Sequence, residues 1–376
     1  MRRRDFLRSV LTMLAGLPLL RFLKPAYAQW TGKRFLLPPT VHHVSETTAT
    51  IYYWLAQPPS DGQLVVLKNE TVIQSIPLPA DQARAILTVE DLEPATWYDY
   101  RLEIDGLVPP ILDLDLTWDA LRFRTQPYEW PIRFAAVGDT GFGDQVTARL
   151  AEHIAGHALD FFVHLGDMVY RSQEYQNDQW VNWVMKYYLP FGDVLKRMPH
   201  YPTIGNHERD RVATFEGQAF YYWAFPPLNE TEAFEGRRQW YSFVVNDVRF
   251  ISLNTQCFFT DPGRHEQNAW LDEQLADNSY RTTIIFFHVP LWTSSTVHPN
   301  DGLAPAGDWA DRFSSVASQI GMVMSGHAHL YERIHRGDVR YITAGGGSTS
   351  IYKHGDGIPG SQVVISLSSY ILVEIH

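Results

Sequence analysis

From about residue 131 onward, short apolar runs each end at a cluster of polar residues, and amphipathic segments separate them. The runs are RFAAVGD, DFFVHLGD, PTIGNHE, TTIIFFHVP, MVMSGHAH and VRYITAGGG. Such runs are typical of buried strands, and their alternation with helical patterns predicts an α/β domain over residues 130–376. We expect helices in VTARLAEHIAGH, around Trp180 to Trp183, in HEQNAWLDEQLADN and in DWADRFSSVASQI. SFVVNDVRFISLN predicts a hairpin that turns at Asn246 and Asp247.

Residues 33–127 show a different, all-β pattern. Short alternating or aromatic-rich stretches such as TATIYYWL and WYDYRLEI are separated by Pro, Gly, Asp and Asn. This pattern predicts a β-sandwich. The stretch DLEPATWYDYRLEI followed by LRFRTQP resembles the last strands of a fibronectin type III domain, with Tyr98 as its corner tyrosine. Another kind of β-sandwich is the alternative, and the proline after Gln126 marks the expected boundary.

The first 28 residues have the features of an export signal. A basic start precedes an apolar run from about Val10 to Leu20, and Ala26-Tyr27-Ala28 offers a small-residue cleavage site. The apolar run is too short to span a bilayer. RRDFL resembles the twin-arginine signal, whose pathway exports folded proteins. An ordinary secretory signal is the alternative, and both predict a periplasmic or extracellular mature chain.

Composition narrows the class of protein. The 376 residues suggest two domains, and the formal net charge of -11 argues against binding to a nucleic-acid backbone. The single cysteine, Cys257, cannot form an internal disulfide, and we expect it to be a buried small apolar side chain. The sequence does not indicate an oligomeric state.

Side chains able to bind metal stand at five of the predicted strand ends. They are Asp139 in GDTG, Asp167 in GDMVY, Asn206 in GNHE, His288 in FFHVP, and His327 and His329 in GHAH. Asp139, Asp167, Asn206 and His288 each have an ordinary explanation alone, because Asp and Asn cap helices and turns and a lone buried histidine is usually a core residue. The pair His327 and His329 differs, because alternating positions at a strand end let two imidazoles converge on a metal. Together they indicate metal, and hard oxygens beside imidazoles suit iron, manganese or zinc. With Tyr170 the candidates are too many for one ion, so we predict a two-metal hydrolytic site.

These blocks, in this order and approximate spacing, resemble the metallophosphoesterases of the calcineurin-like superfamily, and in particular the purple acid phosphatases. The resemblance covers most of residues 130–350, and plant-type members also carry an N-terminal fibronectin-like domain. It implies two β-sheets flanked by helices, with a dinuclear centre at the strand ends. Block by block, it implies Asp139, Asp167, Tyr170 and His329 for metal one. It implies Asp167, Asn206, His288 and His327 for metal two.

Tyr170 distinguishes the purple enzymes within that superfamily. Ordinary metallophosphoesterases have D-x-H in the first block, whereas this chain has Gly141 in place of the histidine. The resemblance implies that the Tyr170 phenolate replaces it and favours Fe³⁺ beside a divalent Zn²⁺, Mn²⁺ or Fe²⁺. The alternative is that Tyr170 is a core aromatic residue.

The implied reaction is acid hydrolysis of phosphate monoesters, with metal-bound hydroxide attacking phosphorus in line. His207 and His298 match the histidines that bind phosphate and assist the leaving group, although His298 could be an exposed loop residue. A phosphodiesterase or phospholipase could use the same metals, and a non-catalytic surface-binding protein with structural metals is a further alternative. The expected partners are small phosphorylated substrates, without nucleic acid and without a stable membrane span. For AGGGST, residues 344–349, we expect a tight turn.

Overall fold

The computed structural model describes residues 35–104, 121–170, 179–208, 214–215, 218–225, 240–259 and 263–376. Within these ranges, a β-sandwich is followed by a larger α/β unit built on two sheets. This arrangement confirms the expected fold class. The predicted signal sequence, residues 1–28, lies outside the described residues. No helix in the described part of the chain is long and apolar enough to cross a membrane.

Seven strands form the N-terminal sandwich within the residues that the structure describes. One sheet has the order β1-β2-β5 and the other the order β4-β3-β6-β7. The strands are β1 (Phe35–Val44), β2 (Ala49–Leu55), β3 (Gly62–Lys68), β4 (Thr71–Pro77), β5 (Arg84–Val89), β6 (Trp97–Ile104) and β7 (Leu121–Arg124). In β6 every second side chain is buried, as expected for a strand with one face on a core. Tyr98 is buried, and its hydroxyl accepts a hydrogen bond from the backbone N–H of Glu93 at 2.8 Å. This contact is typical of a tyrosine corner, while the fibronectin type III assignment stays an interpretation.

The α/β unit contains a four-stranded sheet of order β10-β9-β8-β20 and a seven-stranded sheet of order β13-β14-β15-β16-β18-β17-β19. The first sheet consists of β8 (Ile132–Val137), β9 (Phe161–His164), β10 (His200–Pro202) and β20 (Ile371–Ile375). The second consists of β13 (Tyr241–Val245), β14 (Val248–Ser252), β15 (Thr282–Phe287), β16 (Ile320–Ser325), β17 (Tyr331–Arg336), β18 (Val339–Ala344) and β19 (Ser361–Ile365). A short separate pair is formed by β11 (Thr214–Phe215) and β12 (Gln218–Ala219).

The two sheets pack face to face through aromatic side chains. The ring of Phe250 on β14 lies 5.6 Å from that of Phe134 on β8 and 5.1 Å from that of Phe161 on β9. The next residue along β14, Ile251, points to the opposite face and belongs to a second core that includes Phe287 and Trp309. Because side chains alternate along a strand, both faces of the central strands are buried, which explains their continuous apolar runs.

Helices cover the outer faces. They are α1 (Gln145–Ala155), α2 (Gln179–Trp183), α3 (Gly192–Leu195), α4 (Tyr221–Ala224), α5 (Arg264–Ala276) and α6 (Leu303–Ser315). Asp144 caps α1 by accepting hydrogen bonds from the N–H groups of Val146 and Thr147, each at 3.0 Å. The four predicted helices are present, with two differences. A π-helical turn (Val184–Tyr188) follows α2, and α6 begins at Leu303, five residues before the predicted stretch.

Proline chemistry explains the early start of α6. Pro305 lies in the first turn of this helix, where a missing N–H leaves no hydrogen bond unmade. The predicted hairpin is also present: Val245 pairs with Val248 across Asn246 and Asp247, and Asn246 adopts a left-handed conformation with φ of 53°.

Candidate metal centre

The carboxyl ends of parallel strands from both sheets meet at one edge. In the first sheet β8, β9 and β10 run parallel, and in the second β15 runs parallel to β14 and β16. Hydrogen bonds join the loops that leave these strands: the N–H of Gly138 donates to the carbonyl of Ala344, and the N–H of Gly326 to that of His288, each at 2.9 Å. The polar residues after these strands are therefore brought together, as the sequence predicted.

One group of side chains centres on Tyr170. Its hydroxyl lies 3.2 Å from a carboxylate oxygen of Asp139 and 3.0 Å from Nε2 of His329. His329 Nε2 lies 3.2 Å from the same carboxylate oxygen. All three residues are buried, and burial together with the Asp139 charge raises the pKa of the Tyr170 phenol well above its usual range. Three donor atoms thus converge on one point.

A second group centres on Asn206 and Asp167. The Asn206 side-chain oxygen lies 3.0 Å from Nε2 of His288 and 3.1 Å from Nδ1 of His327. His288 Nε2 also lies 3.3 Å from a carboxylate oxygen of Asp167. Ligand atoms of Asp167, His288 and His327 all lie within 4.8 Å of one another. The seven predicted ligands therefore fall into two adjoining groups.

Asp139 links the two groups. One of its oxygens faces Tyr170 and His329, and the other accepts a hydrogen bond from the backbone N–H of His327 at 2.7 Å. Asp139, Asp167 and His327 all have φ between 56° and 63°, a left-handed conformation that is uncommon outside glycine. Such strained residues cluster at functional sites, where the surrounding structure holds them in place.

Glycine allows the loops to approach this closely. A Cβ atom on Gly205 would lie 2.2 Å from a carboxylate oxygen of Asp167, closer than non-bonded atoms can come. Gly205 and Asn206 therefore reach Asp167 only because residue 205 has no side chain.

Buried charges in this site compensate one another. Burial alone would raise the pKa of Asp167, but the neighbouring His288 holds it below its usual range. Burial would lower the pKa of His288, yet Asp167 raises it to about 10. His329 follows the same pattern, since Asp139 raises its pKa against the effect of burial. Two buried carboxylates thus create a strongly favourable environment for positive charge, which metal cations could supply.

His207 lies at the exposed side of the site. Its backbone N–H donates to a carboxylate oxygen of Asp167 at 3.0 Å, and its ring contacts the Tyr170 ring edge-on at 4.6 Å. The nearest Asp167 oxygen is 3.9 Å from His207 Nε2, and the side chain is 44% exposed. His207 is therefore close to both groups while its imidazole remains accessible.

The structure also brings His298 to the rim of the site. Its ring lies 5.4 Å from that of His327 and 6.2 Å from that of Tyr352. Its side chain is 53% exposed, and its φ of 54° is left-handed. His298 belongs to a loop, as expected, and this loop reaches the candidate ligand His327.

Three residues of the site were not predicted from the sequence. Glu208, the last residue of GNHE, is buried and accepts hydrogen bonds from four backbone N–H groups. Asp301 lies 2.9 Å from Nε2 of His327. Tyr352 stacks on His329 with ring centroids 4.0 Å apart. Glu208 could have been found from the sequence, because it is an acidic residue directly after His207 in the GNHE block. Tyr352 lies in a distant loop, and no motif marks it.

The AGGGST segment differs from the expected tight turn. None of Gly345, Gly346 and Gly347 has a positive φ, so these glycines are not needed for turn geometry. A Cβ on Gly345 would lie 2.8 Å from Asp139 Oδ2, and one on Gly347 would lie 2.2 Å from the carbonyl oxygen of Gly138. Gly345 and Gly347 therefore permit close packing against residues 138 and 139, which follow β8.

The donor set fits hard or borderline metal ions. It combines carboxylate, amide and phenol oxygens with imidazole nitrogens, and the described residues of the site contribute no thiol. Such ligands suit iron, manganese and zinc. His288 and His329 each direct their second ring nitrogen at a backbone carbonyl, of Leu165 at 2.8 Å and of Ser350 at 2.7 Å. Contacts of this kind orient metal-binding histidines.

A family model described as calcineurin-like phosphoesterase matches residues 132–331, more than half of the chain. This chain belongs to that family. The matched range contains all nine residues predicted for the site. The strand ends that meet there therefore belong to a metallophosphoesterase domain, and proteins with this domain are hydrolases.

Comparisons with known proteins show similarity to purple acid phosphatases. The chain is 27% identical over 229 residues to a probable purple acid phosphatase of Arabidopsis thaliana, covering 57% of this chain and 49% of the relative. The chain spans about half the length of the curated relatives it matches. The chain is purple acid phosphatase-like.

Two solved structures share the fold. PhoD aligns with a TM-score of 0.70 at 13% identity, over 92% of this chain and 85% of PhoD. A purple acid phosphatase from yellow lupin (Lupinus luteus) seeds aligns with a TM-score of 0.68 at 16% identity, over 89% of this chain and 69% of that protein. Both alignments extend over the N-terminal sandwich as well as the α/β unit.

Proposed function

We propose that this protein is an acid phosphatase of the purple type, which hydrolyses phosphate monoesters at a centre of Fe³⁺ and a divalent ion. The observation that carries the proposal is the Tyr170 hydroxyl, which lies within 3.2 Å of both Asp139 and His329. Gly141 stands where ordinary metallophosphoesterases have a metal-binding histidine. A phenol oxygen in this position would supply the ligand atom that this histidine provides. The names of the relatives support the same activity.

In this proposal Asp139, Tyr170 and His329 hold the ferric ion, and Asn206, His288 and His327 hold the divalent ion. The family resemblance implies that Asp167 would serve both ions. Its carboxylate lies 3.3 Å from Nε2 of His288 in one group, and its charge acts on Tyr170 and His329 of the other. When bound, the two ions supply Lewis-acid activation of water and of the phosphate ester. The protein contributes a fixed ligand geometry, because the glycine contacts and backbone hydrogen bonds leave these side chains little freedom.

His207 and His298 are proposed to bind the phosphate oxygens and to deliver a proton to the leaving group. Both imidazoles are about half exposed, so a ligand can reach them, and both lie beside residues assigned to the metals. His207 has the more direct position because its backbone is bonded to Asp167. A positioned acid of this kind typically contributes a factor of about 10² to 10⁴ to the rate.

An exposed aromatic residue beside the site supports the proposal that the substrate is an organic phosphate ester. Phe142, in the GDTG loop, is 41% exposed, and its ring contacts that of Tyr170 edge-on at 4.6 Å. It offers an apolar surface next to the site, where the organic part of an ester could pack.

A parallel assay tests the monoester assignment. Purified metal-replete protein would be given p-nitrophenyl phosphate and bis(p-nitrophenyl) phosphate under identical acidic conditions. We expect a kcat/KM for the monoester that exceeds the value for the diester by at least about tenfold, a difference of 1.4 kcal/mol in transition-state binding. Preference for the diester would assign the site to a phosphodiesterase or phospholipase. Turnover of neither ester would favour a binding protein with structural metals.

We also propose that the protein is exported through the twin-arginine pathway, which suits a chain that acquires its metals before translocation. The support is the RRDFL stretch before a short apolar run. Changing both Arg3 and Arg4 to Lys should leave the protein in the cytoplasm, as measured by cell fractionation. Normal export of that variant would assign the signal to the ordinary secretory route.

A further inference from the structure

Asp301 lies between a metal-binding histidine and a histidine of the rim. Its carboxylate oxygen Oδ2 is 2.9 Å from Nε2 of His327 and 3.5 Å from Nδ1 of His298. The same oxygen therefore faces both rings. The Asp301 side chain is 38% exposed, while that of His327 is 11% exposed. The sequence and the comparisons give this residue no role.

The two nitrogens of His327 have different neighbours. Nδ1 faces the Asn206 oxygen at 3.1 Å and belongs to the group that surrounds the divalent-ion position. Nε2 points the opposite way, to Asp301. A histidine that binds metal through one nitrogen carries its proton on the other, and a carboxylate that accepts this proton's hydrogen bond fixes both the tautomer and the ring orientation.

The loop that carries Asp301 is itself anchored. A Cβ on Gly302 would lie 2.0 Å from the carbonyl oxygen of Pro290, so only glycine allows the start of α6 to pack against the segment after His288. Earlier in the loop, the N–H of Ser294 donates to the buried carboxylate of Glu332 at 2.7 Å. Asp301 is therefore held in place by contacts on both sides of it in sequence.

We propose that Asp301 is a positioning residue that orients His327 toward the divalent ion and couples the His298 loop to that ligand. The assignment of the ion rests on the proposed function. In this proposal Asp301 is not itself a ligand and acts through the two histidines. Its carboxylate selects the His327 tautomer with Nδ1 free to bind metal, and it keeps His298 within reach of a substrate on the same side.

Metal affinity measures this role separately from catalysis. We would compare the wild type with Asp301→Ala, Asp301→Asn and Asp301→Glu, and determine the dissociation constant of the divalent ion by competition with a chromophoric chelator. Removal of a carboxylate that orients a metal-binding histidine typically costs about 10- to 100-fold in affinity. We expect that loss in the Ala variant and a smaller loss in the Asn variant, which keeps an acceptor but no charge. The Glu variant should recover part of the affinity.

Two controls separate the proposal from general damage. Asp308→Asn removes a carboxylate on α6 that binds Arg264 at 2.6 Å, and it should leave affinity unchanged. His298→Ala should lower turnover while leaving metal affinity unchanged. The proposal is overturned if Asp301→Ala binds the divalent ion like the wild type, or if it loses both metals with a fall in thermal stability. A wild-type chain that binds fewer than two metals would instead overturn the proposed function.

Discussion

At the scale of single residues, Tyr170 decides between a purple phosphatase and an ordinary two-metal phosphoesterase. A phenolate bound to Fe³⁺ gives a ligand-to-metal charge-transfer band, so oxidised protein should be purple or pink. Tyr170→Phe removes the oxygen that lies near Asp139 and His329 but retains the ring that contacts Phe142 and His207. We expect the visible band to disappear, as recorded by absorption spectroscopy with elemental analysis of iron.

A buried tyrosine elsewhere provides the matched control. Tyr187 is fully buried, and its hydroxyl has no hydrogen-bond partner among the residues that the structure describes. Tyr187→Phe should therefore keep both colour and iron. If the Tyr170 variant retained the band, or if active wild type contained no iron, the assignment would reduce to a two-metal phosphoesterase without a ferric site.

Asp167 and His207 are neighbours in space with different expected roles. Asp167 is buried beside His288 and is proposed to serve both ions, so Asp167→Asn should lose both metals and all activity. His207 is accessible, so His207→Ala should keep both metals and slow turnover by about 10²- to 10⁴-fold. Metal analysis and kcat of the two purified variants test this. Equal metal loss in both would show that His207 is itself a ligand.

At the scale of elements, Glu208 ties the loop after β9 to the loop after β10. One of its oxygens accepts hydrogen bonds from the N–H groups of Asp167 and Gly205, at 2.8 and 2.7 Å. The other accepts from those of Met168 and Val169, at 2.7 and 3.2 Å. The two loops that carry Asp167 and Asn206 thus share one buried anchor.

Glu208→Gln should therefore loosen both loops. The amide keeps one acceptor but turns an NH₂ group toward backbone N–H groups, so at least one buried donor loses its partner. We expect a loss of about 1 to 3 kcal/mol in the free energy of unfolding, measured by urea denaturation. Glu273→Gln, at an exposed position on α5, should change little. Wild-type stability in the Glu208 variant would mean that these hydrogen bonds contribute nothing net.

Much of the site could be predicted from the sequence because its residues lie just after predicted parallel strands. Asp139, Asp167 and His288 each lie within three residues of the end of a strand, and parallel strands place their carboxyl ends at one edge. Glu208 and Asp301 escaped prediction because their partners come from other loops, and those contacts depend on how the loops pack. The GGG segment was misinterpreted for the same reason: Gly347 packs against the carbonyl of Gly138, about 200 residues earlier, and Gly345 and Gly346 pack against the backbone of Ala328 and Leu367, which no local pattern reveals.

At the scale of the whole molecule, the sandwich and the α/β unit share a packed interface. The ring of Trp54 on β2 stacks on that of Phe220 at 5.4 Å, and the guanidinium of Arg84 lies 3.6 Å from the centre of the Trp223 ring. The side chain of Gln126, at the junction, donates to the carbonyls of Val44 and Val244 at 2.7 and 3.1 Å. These contacts couple the stability of the two units.

A buried histidine pair crosses this interface. His42 on β1 and His200 on β10 are fully buried, with ring centroids 4.9 Å apart. Burial lowers the pKa of His200 to about 3, and burial together with the nearby His200 lowers that of His42 well below its usual range. Both histidines are therefore neutral in the folded protein under conditions in which the unfolded chain binds protons.

This pair should make the fold sensitive to acid. Above about pH 6.5 both states are neutral at these positions, so the pair causes no pH dependence. As the pH falls from 6.5 toward 3, the unfolded state binds up to two more protons, and stability should fall by up to about 2.7 kcal/mol per pH unit. The contribution of the pair is measured as a difference between variants in the free energy of unfolding from pH 7.5 to 4.5. Replacing His200 by Phe should reduce the slope by up to about 1.4 kcal/mol per pH unit, whereas replacing the exposed His354 should not. An unchanged slope in the His200 variant would contradict the prediction. It would mean that His200 binds the same number of protons in the folded and unfolded states, so that other groups cause the acid sensitivity.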